Sequence, residues 1–231
     1  MIFDILTLFP GMFNGAFSDS IINRAVEKGL VSISTRNIRD YSDDERHGTV
    51  DDYPYGGDAG MLMKPQPVAK AITAARERLS GSGGKPLVVY LTPTGRLLNQ
   101  DIVKELAGKD SLVLLCGRYK GIDQRAIDAY VDMEISVGDY VLSGGEIPAM
   151  ILVDAVTRLI PGVLGNLDSA ETDSFYNGLL SHPQYTRPEV FEGMRVPEVL
   201  LSGHHANIKE WQRQKSLEIT KERRPDLLNR E

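Results

Sequence analysis

The chain contains two glycine-rich turns, Leu115-Cys116-Gly117-Arg118-Tyr119-Lys120-Gly121 and Ser136-Val137-Gly138-Asp139-Tyr140-Val141-Leu142-Ser143-Gly144-Gly145-Glu146. Each turn follows a short apolar run, 111–116 or 133–137, that predicts a buried strand. A glycine lets backbone donors and acceptors approach a ligand that a Cβ would keep away. Neither turn carries the Gly-x-x-x-x-Gly-Lys-Ser/Thr or the Gly-x-Gly-x-x-Gly pattern of the common nucleotide folds. The pair therefore indicates a nucleoside-like ligand held mostly by main-chain atoms.

Predicted strands and helices alternate around these turns. Further strands are predicted at Ile2–Leu8, Val31–Thr35 and Pro86–Leu91. Apolar spacing, caps and stop residues predict helices at 18–28, 65–79, 99–107, 123–130 and 147–160. Because buried strands alternate with helices, we expect an α/β fold around a parallel sheet.

A polar stretch after Pro161-Gly162 divides the chain. We predict one domain over 1–162, a linker or mobile loop over 163–176 and a second, smaller domain over 177–231. The second domain is expected to be wholly helical, with helix starts at Arg187-Pro188-Glu189 and Val196-Pro197-Glu198.

The composition is that of an ordinary globular protein. At 231 residues, with 42% hydrophobic and 25% charged residues, the chain can bury a real core. We see no secretory leader at the start of the sequence and no apolar stretch long enough to cross a membrane. The single cysteine, Cys116, excludes an internal disulfide and fits a reducing compartment, so we expect a cytoplasmic protein.

The charge pattern leaves two interpretations open. A net charge of −6 argues against a general nucleic-acid binder. Residues 209–224 differ, since six basic and three acidic residues leave a local excess of three positive charges. This segment is either a solvated helix face or a patch that contacts phosphates. The histidines, His47, His182, His204 and His205, lack the spacing of a metal site.

Several short motifs, taken in order, carry a resemblance to one family. They are Thr7-Leu8-Phe9-Pro10, Tyr55-Gly56-Gly57 with Gly60-Met61, Leu91-Thr92-Pro93-Thr94-Gly95-Arg96, Ile160-Pro161-Gly162-Val163-Leu164-Gly165, Asp173-Ser174-Phe175, His182-Pro183-Gln184-Tyr185-Thr186-Arg187-Pro188 and Ser202-Gly203-His204-His205. With them the chain closely resembles, nearly end to end, the bacterial tRNA (guanine-37 N1)-methyltransferases, the TrmD family of the knotted SPOUT superfamily. Each motif alone is weak, whereas their combination in this order is highly specific.

The resemblance implies S-adenosylmethionine as the methyl donor, held in a deep trefoil knot within 1–162. Knots are rare exceptions to ordinary chain topology, and no periodicity predicts one. Main-chain groups at the glycines would read the adenine edge and the ribose, while Leu142 and Pro148 would supply apolar walls. By analogy, the donor pocket is formed by Tyr90, Leu91, Pro93, Gly117, Tyr119, Val137, Gly138, Tyr140, Leu142, Gly144, Gly145 and Pro148.

The resemblance also implies a homodimer whose active site lies at the subunit interface. The linker at 163–176 of one subunit would act as a lid on the donor bound by the other. The implied substrate is tRNA with guanosine at positions 36 and 37. Its anticodon stem would bind the domain at 177–231, and the flipped target base would lie near the loop at 56–60. The residues expected to contact this RNA are Gly56, Gly57, Gly60, His204, Lys209, Arg213 and Lys215.

The implied chemistry needs a base and a cationic partner. N1 of guanine carries a proton, and its removal places negative charge on O6. The resemblance assigns Asp173 as the general base, Arg158 as the residue that stabilises the charge on O6, and Ser174 as a residue that orients the base. From the sequence alone, Asp173 fits a helix cap or a linker charge equally well, and Arg158 fits a partner of a helix C-terminus.

Lys120 departs from the family pattern, which usually has glutamate there. In the family this acid lies close to the methionine end of the donor and is linked to a required magnesium ion. A lysine cannot ligate Mg²⁺ as a carboxylate does. We hypothesise that magnesium dependence is altered or that other oxygens serve the metal, whose ligands stay unknown. A second departure is Asp58, where a small residue is common.

Three other functions compete with this one. Another knotted methyltransferase would act on ribosomal RNA or on a ribose 2′-hydroxyl, which needs no base beside a ring nitrogen. An α/β module that binds RNA without catalysis would bind no methyl donor. An ordinary Rossmann methyltransferase fits least, because the chain lacks an early Gly-x-Gly turn.

Overall fold

The structure, a computed structural model, describes residues 1–44, 46–81, 84–164 and 173–229. The chain forms two compact units, Met1–Gly165 and Asn166–Glu231. Most of the predicted linker at 163–176 lies outside the described residues.

A parallel sheet forms the centre of the N-terminal unit. The strands of this unit are β1 (Ile2–Thr7), β2 (Ser32–Asn37), β3 (Asp51–Asp52), β4 (Leu62–Met63), β5 (Leu87–Leu97), β6 (Ser111–Cys116) and β7 (Met133–Ser136). Five of them pair in parallel in the order β2-β1-β6-β5-β7, while β3 and β4 form a short antiparallel pair. The predicted α/β fold around a parallel sheet is confirmed.

Four helices lie between strands of this unit, as parallel strands require, and a fifth follows the last strand. They are α1 (Ser20–Glu27), α2 (Pro65–Leu79), α3 (Gln100–Ala107), α4 (Gln124–Tyr130) and α5 (Glu146–Thr157). Their starts follow from local sequence. The Asn99 side chain accepts hydrogen bonds from the first backbone N–H groups of α3, and Asp123 does the same for α4. Pro65 opens α2 with a backbone angle already suited to a helix.

The core lies on both faces of the sheet. All six residues of β6 are buried, and alternate side chains point to opposite faces. Leu112 and Leu114 pack in a cluster with apolar residues of α1, α3 and α5, whereas Val113 and Leu115 pack in a second cluster with those of α2 and α4. A strand buried in this way places the turn that follows it in a rigid position.

The C-terminal unit is not wholly helical, so that prediction is wrong for 190–195. Two short strands, β8 (Val190–Phe191) and β9 (Met194–Arg195), form an antiparallel hairpin. Its two-residue turn, Glu192-Gly193, has positive φ angles of 50° and 80°, the geometry that suits a tight hairpin. Arg187-Pro188-Glu189 therefore leads into a hairpin and starts no helix.

Two helices follow this hairpin, α6 (Glu198–Leu201) and α7 (His205–Arg223). Pro197 precedes α6, as predicted, and a 3₁₀ turn at Pro225–Asn229 follows α7. The segment before the hairpin packs on α7, because the Leu180 N–H donates to the buried Thr220 Oγ1 at 2.9 Å. Within the described ranges, no helix is long and apolar enough to cross a membrane.

Candidate active site

A cavity of about 320 Å³ lies at the carboxyl-terminal ends of β5, β6 and β7. Leu91 and Arg96 of β5 both pair with Ile135 of β7. The residues between them, 92–95, therefore form a bulge beside the cavity. The size is at the lower end of the range for small-molecule sites. All of the residues predicted for the donor pocket line it: Tyr90, Leu91, Pro93, Gly117, Tyr119, Val137, Gly138, Tyr140, Leu142, Gly144, Gly145 and Pro148.

The two glycine turns lie side by side around this cavity. The Gly145 N–H donates to the Gly117 carbonyl oxygen at 3.0 Å, and Arg118 forms an isolated bridge with Gly144. A Cβ at Gly145 would lie 2.7 Å from Cys116 Cα, closer than real side chains come to a backbone. Glycine is therefore required at 145 for the approach of two backbones, although its φ of −80° is ordinary.

A buried ion pair joins the two turns behind the cavity. Arg118 Nε lies 3.0 Å from Glu146 Oε2, and the Glu146 side chain is only 1% exposed. Thr7 Oγ1 donates to Glu146 Oε1 at 2.7 Å, and Arg118 Nη1 donates to the Ser143 carbonyl oxygen at 3.1 Å. The Arg118 guanidinium also stacks on Phe9, 4.4 Å from the ring centroid. We refer to these groups as the Thr7–Arg118–Glu146 cluster.

This cluster was missed by the sequence analysis. The Thr7-Leu8-Phe9-Pro10 motif and Glu146 carried the family resemblance, but nothing in the sequence paired them. Breaking a buried ion pair by removing one charge costs about 3–5 kcal/mol, because the other charge stays buried. The cluster therefore holds the two glycine turns in place before any ligand arrives.

Two titratable side chains, Tyr90 in the cavity wall and the buried Cys116 behind it in the chain, stay protonated at neutral pH. Burial raises the pKa of the Cys116 thiol well above its ordinary value, the Glu146 charge adds to this, and Arg118 acts against it. Burial also raises the pKa of the Tyr90 phenol, although a hydrogen bond with Thr92 opposes the change. Neither group is suited to take a proton, so a general base must come from another part of the protein.

Lys120 links the cavity to the predicted substrate loop. It lines the cavity, and its methylene groups pack on Gly60, where a Cβ would lie 3.2 Å from Lys120 Cγ. The Lys120 N–H donates to the Met61 carbonyl oxygen at 3.0 Å. The structure thus brings Gly60 to the cavity wall, whereas Gly56 and Gly57 are exposed and do not line it.

The predicted catalytic residues belong to different units. Arg158 follows the last residue of α5, whereas Asp173 and Ser174 lie in the C-terminal unit. Ser174 Oγ accepts a hydrogen bond from the Ser181 N–H at 2.9 Å and lies 3.0 Å from Ser181 Oγ. Ser174 therefore orders the segment that follows Asp173. The catalytic roles of these residues stay predictions.

The predicted RNA contacts of the C-terminal unit lie on or just before α7. His204 precedes the helix, and Lys209 and Arg213 are exposed on it. Lys215 makes an ion pair with Glu218, with 2.6 Å between Nζ and Oε2. This pair partly neutralises the charge that Lys215 could offer to a phosphate. Among the described residues, no three His, Cys, Asp or Glu side chains lie together as a metal site needs.

A parallel α/β sheet with a glycine-rich cavity at the strand ends is typical of the class of α/β enzymes that bind a small ligand there. Comparison with known proteins gives the family. Residues 1–230 match the family described as tRNA (Guanine-1)-methyltransferase TrmD, and the chain belongs to this family. It is therefore an enzyme of the methyltransferase class.

Curated relatives from different bacteria cover the chain almost completely, and each is named tRNA (guanine-N(1)-)-methyltransferase. The relative from Ruminiclostridium cellulolyticum is 54% identical over 100% of this chain and 97% of its own length. The one from Geobacter sulfurreducens is 56% identical over 100% and 92%, respectively. The one from Pseudomonas fluorescens is 57% identical over 97% and 88%.

Proposed function

We propose that this enzyme transfers a methyl group from S-adenosylmethionine to N1 of guanosine 37 in tRNA that also carries guanosine at position 36. One observation carries the proposal: every residue expected to hold the donor surrounds a single cavity of about 320 Å³. The names of the relatives support guanine N1 as the atom that is modified.

The cavity suits the donor because glycines recur in its lining. Gly117 and Gly121 of the first turn and Gly138, Gly144 and Gly145 of the second line it, and a glycine lets a ligand approach main-chain groups closely. In our proposal these groups read the adenine edge and the ribose, while Leu142 and Pro148 form apolar walls. The donor supplies an electrophilic methyl group on a positively charged sulfur.

Asp173 acts as the general base in this proposal. Its carboxylate accepts the proton of guanine N1, and the electron pair left on N1 forms the bond to the methyl carbon while the bond from that carbon to the donor sulfur breaks, leaving its electrons on a neutral sulfur. Arg158 stabilises the negative charge that develops on O6. Ser174 acts indirectly, because its hydrogen bonds to Ser181 hold the backbone next to Asp173.

A homodimer and a trefoil knot complete the proposal. Arg158 and Asp173 belong to separate units, and a dimer in which the linker of one subunit covers the cavity of the other would supply both to one site. The knot is proposed from the family resemblance, and Gly95, where a Cβ would overlap the backbone of Glu134 and Ile135, shows only that β5 and β7 approach closely there.

The metal question is separate from this chemistry. Lys120 has no oxygen to offer a divalent cation, and the described residues hold no cluster of metal ligands. We therefore assign no step to magnesium. A cytoplasmic location fits the proposed substrate and the buried free thiol of Cys116.

Calorimetry with S-adenosylmethionine and with its demethylated product tests the donor site. We expect both to bind, and the variant Gly145→Ala to lose both. If neither compound binds, the remaining interpretation is a module that binds RNA without catalysis. The variant Asp173→Ala tests the acceptor atom, because intact methylation in this variant would favour a ribose 2′-hydroxyl.

A further inference from the structure

A second cavity, of about 400 Å³, lies wholly within the C-terminal unit. Its lining residues are Ser174, Leu180, Ser181, His182, Pro183, Ile219 and Arg223. The polar members are a guanidinium, an imidazole and two hydroxyls, and no carboxylate lines the cavity. We propose that it binds one phosphodiester of the RNA substrate, next to the target nucleotide. This inference rests on the proposed function and adds a contact to it.

The wall of this cavity is fixed by hydrogen bonds. The Ser181 backbone N–H donates a hydrogen bond to Ser174 Oγ at 2.9 Å. The neighbouring Leu180 N–H donates to Thr220 Oγ1 of α7, and this hydroxyl in turn donates to the Ser216 carbonyl oxygen at 2.6 Å. The His182 Nδ1 lies 3.0 Å from the Pro183 carbonyl oxygen and must donate to it, since a carbonyl only accepts. The Ser174 and Ser181 hydroxyls are therefore held in position, as an anion site requires.

Arg223 supplies the charge. Among the described residues it makes no ion pair, whereas its neighbour Arg224 pairs with Asp226 at 2.7 Å. Its guanidinium is exposed at the rim of the cavity. A planar guanidinium binds two phosphate oxygens at once, which a lysine cannot do. An arginine that makes no ion pair among the described residues, beside two hydroxyls, favours a phosphate over a neutral ligand.

The position of Ser174 indicates which phosphate binds. Ser174 follows Asp173, the proposed general base, directly in the chain. An RNA strand with its target base at Asp173 therefore passes the cavity within one or two nucleotides of position 37. The phosphate bound in the cavity therefore flanks this nucleotide and does not belong to the anticodon stem.

Binding of an anticodon stem-loop RNA, measured over a range of salt concentrations, tests the charge. Lys221 gives the matched control, because it is exposed on α7 about 200° around the helix from Arg223. We expect Arg223→Gln to weaken binding about tenfold and to reduce the slope of log K against log salt by about 0.7, the value for one phosphate on a single strand. Lys221→Gln should change the affinity less than about twofold, and Arg223→Lys should keep the slope while losing part of the affinity.

Uncharged methylphosphonates, placed one at a time in the RNA, identify the phosphate. At the bound position the substitution should weaken binding by the wild-type protein but not by Arg223→Gln, as in a double-mutant cycle. Equal effects of Arg223→Gln and Lys221→Gln, or a coupled phosphate in the stem, would overturn the inference. Methylation of guanosine 37 by the wild type is scored separately, so failure of the proposed function is distinguishable from failure of this contact.

Discussion

The N-terminal unit holds its site residues by contacts that need no partner, whereas the C-terminal unit presents its basic residues to solvent. Around the donor cavity, Gly145 touches the backbone of Cys116, and Glu146 is almost completely buried against Arg118 and Thr7. On α7, Lys209 and Arg213 are exposed. The first region is therefore organised for a small ligand in advance, while the second gains its function when a charged partner binds.

This difference explains which substitutions should affect stability and which should affect only activity. In the donor cavity, binding and folding depend on the same contacts, so a change that disturbs one disturbs the other. In the C-terminal unit, exposed side chains contribute little to folding, and their loss should appear only when RNA is present. The following predictions test this separation.

The largest effect should come from Asp173→Asn. The amide cannot accept the N1 proton, so the rate of methylation should fall by about 10²- to 10⁴-fold. Affinity for S-adenosylmethionine should not change, because the donor cavity lies in the other unit. A variant that keeps its rate, or one that loses donor affinity in parallel, would contradict the assigned role.

Glu146→Gln should affect stability and donor binding together. The amide removes the charge that faces Arg118, so the free energy of unfolding should fall by about 3 kcal/mol and donor affinity by about tenfold. Glu105→Gln, at an exposed position of α3, is the matched control and should change stability by less than about 0.5 kcal/mol. Urea denaturation and calorimetry measure the two effects. Normal donor affinity in Glu146→Gln would show that the cluster does not hold the glycine turns.

Gly145→Ala tests the close approach of the two turns. A single methyl group must displace the backbone at Cys116, which should cost about 1–3 kcal/mol of stability and most of the donor affinity. Gly81→Ala provides the control, since nothing lies within 4 Å of a Cβ there. The interpretation fails if both alanine variants bind the donor equally well.

Lys120→Glu should give the smallest effect. Lys120 places a positive charge at the cavity, and the donor sulfonium is also positive while the sulfur of the demethylated product is neutral. Reversal of this charge should raise the affinity for the donor relative to that for the product by about two- to fivefold, as expected for exposed charge pairs. The ratio of the two dissociation constants measures it, and an unchanged ratio would mean that Lys120 does not face the sulfur.

The same variant tests the magnesium hypothesis. Titration of Mg²⁺ into a metal-free assay should give different curves for the native chain and Lys120→Glu. Identical curves would contradict the idea that Lys120 alters the metal dependence.

Local signals in the sequence were sufficient for most of the sheet and its helices. The Asn99 and Asp123 caps and the largely apolar β6 predicted element positions, because their causes are contained within a few residues. The hairpin at 190–195 was mispredicted. Strands of two residues show no periodicity, and Glu192-Gly193 was the one local signal for the turn.

Contacts between distant parts of the chain could not be predicted in this way. Thr7 and Glu146 are separated by 139 positions, and only the fold shows that they share a hydrogen bond. The strand order, in which β6 lies between β1 and β5, is equally invisible to local patterns. The donor-cavity residues were named through the family resemblance, and their assembly around one cavity is a property of the structure.

One measurement tests the central claim most directly. The protein is incubated with labelled S-adenosylmethionine and anticodon stem-loop RNAs that differ only at positions 36 and 37, and the modified base is then identified. We predict that the label appears at N1 of guanosine 37, and only in RNA that carries guanosine at both positions. Label on a ribose, or label that does not depend on guanosine 37, would contradict the account.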